Sequence, residues 1–582
     1  MAVNGTNTLG RRRPGLPFLV MSAASVTTVV LVWLLSARMY AAATVLVLAW
    51  GLAAFVSAIA SIDDTLRNKV AANSLLFWFA TAPFAWYFIR FPFAKSIVTF
   101  ERLVFGLVGF FAIGSLMGWL PRAGRRPARR PDALDPDALG PDALSSQLYA
   151  DRITNDLDSE SLAAIRQRNT GSNEGATAGA GWRGATESER HPITKFEAVW
   201  LLLVLLACSS AATSSSSTGY ALKLAVDAFA LPLIAFYGAR TYLKSTRHAK
   251  FILVTAMLLA LFLLATGAFE FLTGINLLPY EGSELVREGE LRVNGPFIAD
   301  SSFAVVSLML VVFLRSAPRM FKLRFDLGAR VIYGIGIAGA IVSCLLPLFR
   351  AVAITLVLCW AAEGVLSARP QERVAGTASS RRVRKLLRRQ RIWSFVIAAI
   401  ALISLGAGVM LLAPANIRQR LTNPRNAYSR LLSWRVAANI IYRHPVFGVG
   451  LSNYVDYFDQ EYTGGRSQLE LELDTHIVEH PHSNVVWIAT ELGLVGLALY
   501  LGANILLLIP AYRAFRRGRS GRTRAAGACF IVLMAAYWIP GLELTSGMYS
   551  ELNLYFFFLL GLIFPLLSLE ALPEGQNRKL QL

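Results

Sequence analysis

The chain has 582 residues, 55% hydrophobic and only 16% charged, with a mean hydropathy of +0.48, where a soluble domain carries about 25% charge. Its apolar residues fall in long blocks of roughly 17 to 25, the length a helix needs to cross a bilayer, which excludes a soluble enzyme, a disulfide scaffold and a disordered chain. A formal charge of +20 suggests nucleic acid at first sight, but in a membrane protein a basic excess marks cytoplasmic loops, so its distribution decides.

Taken in chain order, the apolar blocks predict an all-α, polytopic membrane protein of about 12 to 14 spans. Fourteen candidates lie near 17–37, 39–60, 74–91, 103–120, 196–212, 220–239, 251–268, 298–314, 331–348, 351–367, 392–413, 484–509, 525–543 and 551–569. The first follows Arg11, Arg12 and Arg13 and leads straight into the second, so it reads as a signal anchor. The 196–212 block is the weakest, since it runs into Ser214 to Ser217. With the amino terminus in the cytoplasm and alternating spans, 42 Lys and Arg fall on the cytoplasmic side and 14 on the other. That asymmetry fits the positive-inside rule and explains the basic charge without nucleic acid. The run RRVRKLLRRQR (381–391) and the arginines from Arg513 to Arg524 read as solvated or headgroup-facing loops.

The expected organisation is six-part. Membrane helices fill 1–120, and 121–195 is a cytoplasmic linker with three PDAL units and a Gly/Ala/Ser-rich stretch, too polar to bury a core. Further spans occupy 196–413, a long loop on the outer face 414–483, the last spans 484–569 and a cytoplasmic tail 570–582. Cys208, Cys344, Cys359 and Cys529 sit inside apolar blocks without a CxxC pair, as small packing residues do. Lys223 and Asp227, four apart in the sixth span, are expected to face the interior or pair, because a charge at mid-membrane costs roughly 2.5–3.5 kcal/mol.

The 414–483 loop holds the residues with chemistry. Its early half is basic (Arg418, Arg420, Arg425, Arg430, Arg435, Arg443) and its late half acidic (Asp456, Asp459, Glu461, Glu470, Glu472, Asp474, Glu479). Apolar residues at helical spacing from Leu431 to Tyr442, edged by Arg430, Trp434 and Arg435 and ended by Pro445, predict an amphipathic interfacial helix. Gly448 and Gly450 permit a tight turn. At the other end His476, His480 and His482, half of the chain's six histidines, crowd one membrane boundary, where Ser483 or Asn484 can cap the next helix. Histidine is the side chain best suited to proton transfer near neutral pH. Their H-x3-H spacing with Asp474 and Glu479 also admits a metal, against which Pro481 disturbs the helix that such a site would use.

The pattern Arg430, Trp434, Pro445, Gly448, Gly450, His482, Glu491, Gly493, Gly496 resembles the O-antigen ligase family of bacterial envelope enzymes, which includes O-antigen and exopolysaccharide polymerases. LRVNGPFIADSSFA (291–304) and PLFRAVAITL (347–356) resemble two further segments of that family. Ser483, Phe349 and Ser301–Ser302 depart from its commoner residues, and 1–195 shows no matching motif.

The resemblance implies transfer of a glycan from an undecaprenyl diphosphate carrier to an acceptor hydroxyl, on a growing glycan or lipid A-core, at the periplasmic face of the inner membrane. It assigns His482 as the base. Arg292, Arg350 and Arg430, with His480 beside them, are the candidates for holding diphosphate and substrate, because guanidinium forks match phosphate oxygens. No cofactor and no metal are implied, nor any nucleic-acid partner; the lipid bilayer is the other partner. Glu491 is expected to cap or brace its span. A transporter for lipid-linked sugars and a non-catalytic assembly partner are the rival readings. A transporter places its polar residues near mid-membrane, often within internal repeats, whereas here they gather in and beside one loop.

Overall fold

A computed structural model of the protein describes residues 64–82, most of 102–111, 193–366 apart from 215–217, 276–285, 288–289, 292, 298 and 324, then 425–463, and 481–568 apart from 519. The expected spans at 17–37, 39–60 and 392–413, the linker up to 192 and the acidic half of the long loop beyond 463 lie outside these residues. So do Arg292, His476 and His480.

The described chain is helical but for one two-residue antiparallel ladder, Val286–Arg287 with Glu290–Leu291. Helix α1 is Asp64–Thr81, ten residues nearer the amino terminus than the span expected from 74. Then come α2 (Lys195–Ala212), α3 (Thr218–Ala225), a five-residue π-turn (Val226–Ala230) and α4 (Leu231–Tyr242). Next are α5 (Thr246–Thr273), α6 (Asp300–Met320), α7 (Leu327–Leu345) and α8 (Arg350–Leu366). The remainder is α9 (Arg425–Arg443), α10 (Tyr454–Thr463), α11 (Asn484–Glu491), α12 (Gly493–Arg517), α13 (Gly521–Gly541), a 3-10 turn (Ser546–Met548), α14 (Ser550–Ile563) and α15 (Pro565–Ser568). Eight of the described helical segments are long and apolar enough to cross a membrane, and the protein is a multi-pass membrane protein.

Burial separates these helices into a centre and a rim. Of their apolar windows, 89% is buried in α6 and 83% in the 550–567 segment, against 28% in α7 and 33% in both α2 and α12. An all-apolar helix buried all round belongs at the centre of a bundle, and one apolar face left bare meets lipid. Around α14 the core is aromatic: Phe79 stacks on Phe558 at 4.9 Å, Trp78 meets Tyr555, and Tyr537 stacks on Phe556 at 4.0 Å.

The 196–212 block is a regular helix. Thr194 and Glu197 close a reciprocal capping box at its start, which satisfies two amides that would otherwise be orphaned. The sixth span is interrupted by the π-turn, and there the expected Lys223–Asp227 pairing is corrected. Asp227 takes a two-pronged bond from Arg102, 125 residues away, at 2.9 and 2.5 Å. An Arg fork matches both carboxylate oxygens, which a Lys ammonium cannot do. The span expected at 484–509 is also corrected: it breaks at Leu492 into the short α11 and the long α12.

One end of the bundle gathers the motif residues. The end of α2 reaches the 448–453 turn through Ser210 and Ser214, and α11 reaches the α13–α14 connection through Asn484. Helices α8 and α13 run antiparallel. Cys359 lies beside Val532, while Glu363, four residues further on, bonds Ser316, which itself meets Cys529. Nine residues back from Cys359, Arg350 therefore lies at the level of Gly541, at this same end.

Candidate functional site

The site is built on α9 and α11. Helix α9 buries Val436, Ala437 and Ile440 against Tyr454 and Phe458 of α10 and leaves Leu431 and Tyr442 exposed, as are Val446 and Phe447 just beyond its end, the amphipathic pattern of an interfacial helix. Ser433, fully buried, shares a 2.7 Å hydrogen bond with the Tyr454 hydroxyl, which locks the two helices together. Burial pushes that phenol up from its ordinary range, against the bond from Ser433.

The glycines of the motif permit backbone-to-backbone contact. Val449 and Gly450 donate their amides to the carbonyls of Thr490 and Glu491 at 2.9 and 3.0 Å, and Leu494 and Val495 donate theirs to Pro445 and Val446 at 2.8 and 3.2 Å. A methyl on Gly448 would stand 2.4 Å from the Thr490 oxygen, and one on Gly493 2.2 Å from the Val446 oxygen. Both residues have positive φ, 69° and 67°, where a side chain is strained. This four-bond clasp is the reason the helix breaks at Leu492: Gly493 leaves the helical path so that its neighbours can bond the turn.

Glu491 braces the clasp. Its carboxylate accepts the Trp487 indole at 2.7 Å and the amides of Ser452 and Tyr454 at the start of α10. Burial raises its pKa to about 7, opposed by those three bonds. The expected bracing role is thus met across the loop as well as within α11.

His482 is half-buried and has φ +47°, left-handed backbone that a non-glycine residue adopts only when its surroundings impose it. Two contacts flank it. The Trp434 indole donates to the Pro481 carbonyl at 2.8 Å, which gives the Trp of the R-x3-W pattern its structural task. Asn484 is fully buried in the α13–α14 connection, donating to the Ser546 hydroxyl and accepting the Gly547 amide, both at 2.7 Å. Ser483 occupies the N-cap position of α11 without a side-chain capping bond, so neither Ser483 nor Asn484 caps the helix as expected.

Of the candidate arginines, Arg430 pairs with Glu543 at 2.9 Å, tying α9 to the α13–α14 connection. Arg350 opens α8, exposed, two residues after Leu348, which has φ +57°. The chain just beyond position 292 is fixed: buried Glu270 accepts the amides of Asn294 and Gly295 at 3.1 and 2.8 Å. His482, Arg350 and Arg430 therefore share one end of the bundle; Arg292 and His480 lie outside the described residues. Sequence reasoning missed Glu543, Glu270 and Arg102, and read Asn484 only as a possible cap. Each works through a partner far along the chain or on an unremarkable loop, and no spacing announces them.

Comparison with known proteins points to the same segment. A sequence profile of the O-antigen ligase family matches residues 374–501. Three Rickettsia proteins, all named provisionally as polysaccharide ligases, are similar over a short stretch. The one from Rickettsia typhi is 35% identical over 91 residues, 15% of this chain and 22% of the relative. The one from Rickettsia prowazekii is 34% identical over 91 residues, again 15% and 22%, and the one from Rickettsia conorii 38% over 84 residues, 14% and 19%. The match thus spans about a fifth of the length of these relatives. The segment 374–501, which carries the clasp, the left-handed histidine and the bracing glutamate at one end of a membrane bundle, is thus similar to the O-antigen ligase family.

Proposed function

We propose that the protein transfers a glycan from undecaprenyl diphosphate to an acceptor hydroxyl at the periplasmic face of the inner membrane, as an O-antigen ligase-like enzyme. The observation that carries the reading is His482: a histidine in strained backbone, gripped on both sides, at the end of the bundle where Arg350 opens a helix. In the proposed step His482 takes the proton of the acceptor hydroxyl as its oxygen attacks the anomeric carbon. The bond from that carbon to the diphosphate breaks on the opposite face, so the anomeric centre inverts. The departing diphosphate carries the developing charge, which guanidinium groups of Arg350 and Arg292 stabilise.

Helix polarity supports the same placement. At this end α11 begins without a side-chain cap and without an acid in its first turn, and amides at a helix start favour an anion nearby.

The test is replacement of His482 by Ala in cells. Loss of a general base lowers turnover by about 10²- to 10⁴-fold, and lipid-linked glycan accumulates while the protein stays folded in the membrane. Wild-type transfer by His482→Ala removes the assignment of His482 as the base. The accumulated species after gene deletion separates the two acceptors: long chains mean ligation to a finished acceptor, single repeat units mean polymerisation.

A further inference from the structure

Asn484 occupies the first position of α11, where an Asn ordinarily serves its own helix. Here its amide turns away and is spent on another element. It is 0% exposed, donates to Ser546 and accepts from Gly547, both at 2.7 Å. The seat is made by two glycines. A methyl on Gly541 would lie 2.6 Å from the Asn484 Nδ2, and one on Gly547 2.9 Å from the Trp487 ring. A second amide extends the seat: Asn553 donates to the Gly547 carbonyl at 2.7 Å and accepts the Tyr537 hydroxyl at 2.6 Å. Through Asn484 the start of α11 is thus bolted to α13 and α14, both buried in the bundle.

Two residues upstream stands His482 at φ +47°, and one residue upstream of that the Pro481 carbonyl is held by the Trp434 indole. Ser483 between them is extended, with φ −161°, and 3% exposed. The left-handed turn at His482 is therefore pinned from both sides by groups that belong to different parts of the protein, α9 before it and the α13–α14 connection after it. A strained residue relaxes unless its flanks are fixed, and a misplacement of about 1 Å at a reacting group costs up to about 10²-fold in rate.

We propose that Asn484 is a positioning residue, seated by Ser546, Gly547 and Asn553, that holds the His482 imidazole at the acceptor hydroxyl during transfer. The proposal rests on the reading of His482 as the base. It places residues 541–553, beyond the segment matched by the family profile, in the service of the site.

The experiment uses the full chain in proteoliposomes, with lipid-linked glycan and acceptor lipids prepared from cells that lack the gene. Asn484→Ala lowers kcat by about 10- to 100-fold, leaves KM for the lipid-linked glycan within about threefold, and changes the rate at which diethylpyrocarbonate modifies His482, read by peptide mass spectrometry. Asn484→Asp keeps an acceptor for Gly547 and recovers part of the loss. If Asn484→Ala does not fold, Ser546→Ala, which removes the acceptor for the Asn484 amide together with a partner of the Tyr537 hydroxyl, decides with the same readouts at smaller size. Unchanged kcat together with an unchanged modification rate overturns the proposal, as does a rise in KM that accounts for the whole effect. His482→Ala run alongside separates the two readings. If it transfers normally, the base assignment fails; if it is inactive while Asn484→Ala and Ser546→Ala behave as wild type, only the positioning role fails.

Discussion

The two ends of the bundle are built on opposite terms. At the end away from the motif, α2, α5, α7 and α13 each begin under a side-chain cap, from Thr194, Ser245, Asp326 and Ser520. Ion pairs there are closed: buried Arg240 with buried Glu197 at 3.0 Å, and half-buried Arg315 with buried Glu363 at 3.1 Å, the Arg315 guanidinium lying 3.6 Å over the Trp360 ring. At the motif end α6, α11 and α14 start uncapped. Three of the four described non-glycine residues with positive φ, Leu348, Ser452 and His482, lie there too. The first end starts its helices under side-chain caps and holds its charges in ion pairs, whereas the second gathers the left-handed backbone of Leu348, Ser452 and His482.

The contrast can be tested from either side, the largest effect first. Glu197→Ala leaves Arg240 buried without its carboxylate and costs about 3–5 kcal/mol of stability, read as a lower thermal midpoint of purified protein; turnover per folded molecule stays as in wild type.

At the motif end the strongest handle is Glu491, whose folded pKa is raised to about 7 by burial. A raised carboxylate binds its proton more readily in the folded chain. Its contribution to stability is full below the ordinary glutamate range and is lost as pH climbs toward and through 7, by at most about 1.4 kcal/mol per pH unit. Wild-type thermal midpoints are expected to fall between pH 5 and pH 7.5 on the order of that slope, and Glu491→Gln to flatten the dependence.

Trp434→Phe keeps an aromatic ring but gives up the indole donor to Pro481 and the area of the second ring. A hydrogen bond of this kind contributes about 0.5–1.5 kcal/mol, so turnover falls by up to about tenfold with the thermal midpoint nearly unchanged. The smallest effect belongs to Glu543→Gln. The Arg430–Glu543 pair is partly exposed, with Glu543 at 48%, and such pairs contribute about 0.2–1 kcal/mol. An unchanged midpoint with a changed KM for the lipid-linked glycan would show Arg430 released to substrate.

Much of this was legible from residues alone, and the limit is physical. Apolar blocks locate the spans because bilayer thickness fixes their length. The motif glycines and His482 stand out because local backbone needs leave local marks. Sequence periodicity continues smoothly through Leu492, however, and the break there exists only because Val446 and Pro445 present carbonyls to amides 49 residues away. Arg102, Glu270 and Asn484 likewise acquire meaning from partners that no window of sequence contains. Asp227 was flagged correctly as a charge needing company, and the nearest cation along the chain was the wrong one.

The π-turn at Val226–Ala230 works as an adapter between layers. Widening the spiral by one residue releases a carbonyl from the ladder, and the Phe229 carbonyl receives the Trp200 indole at 2.8 Å while the Phe229 ring stacks on Trp487 of α11 at 5.8 Å. Deleting a single amino acid here would restore the ordinary pitch and swing everything before it by roughly 100°. Asp227 would turn away from Arg102, and Phe229 from the Trp487 indole. That one surplus residue keys the Thr218–Tyr242 segment to α11, which carries the candidate site.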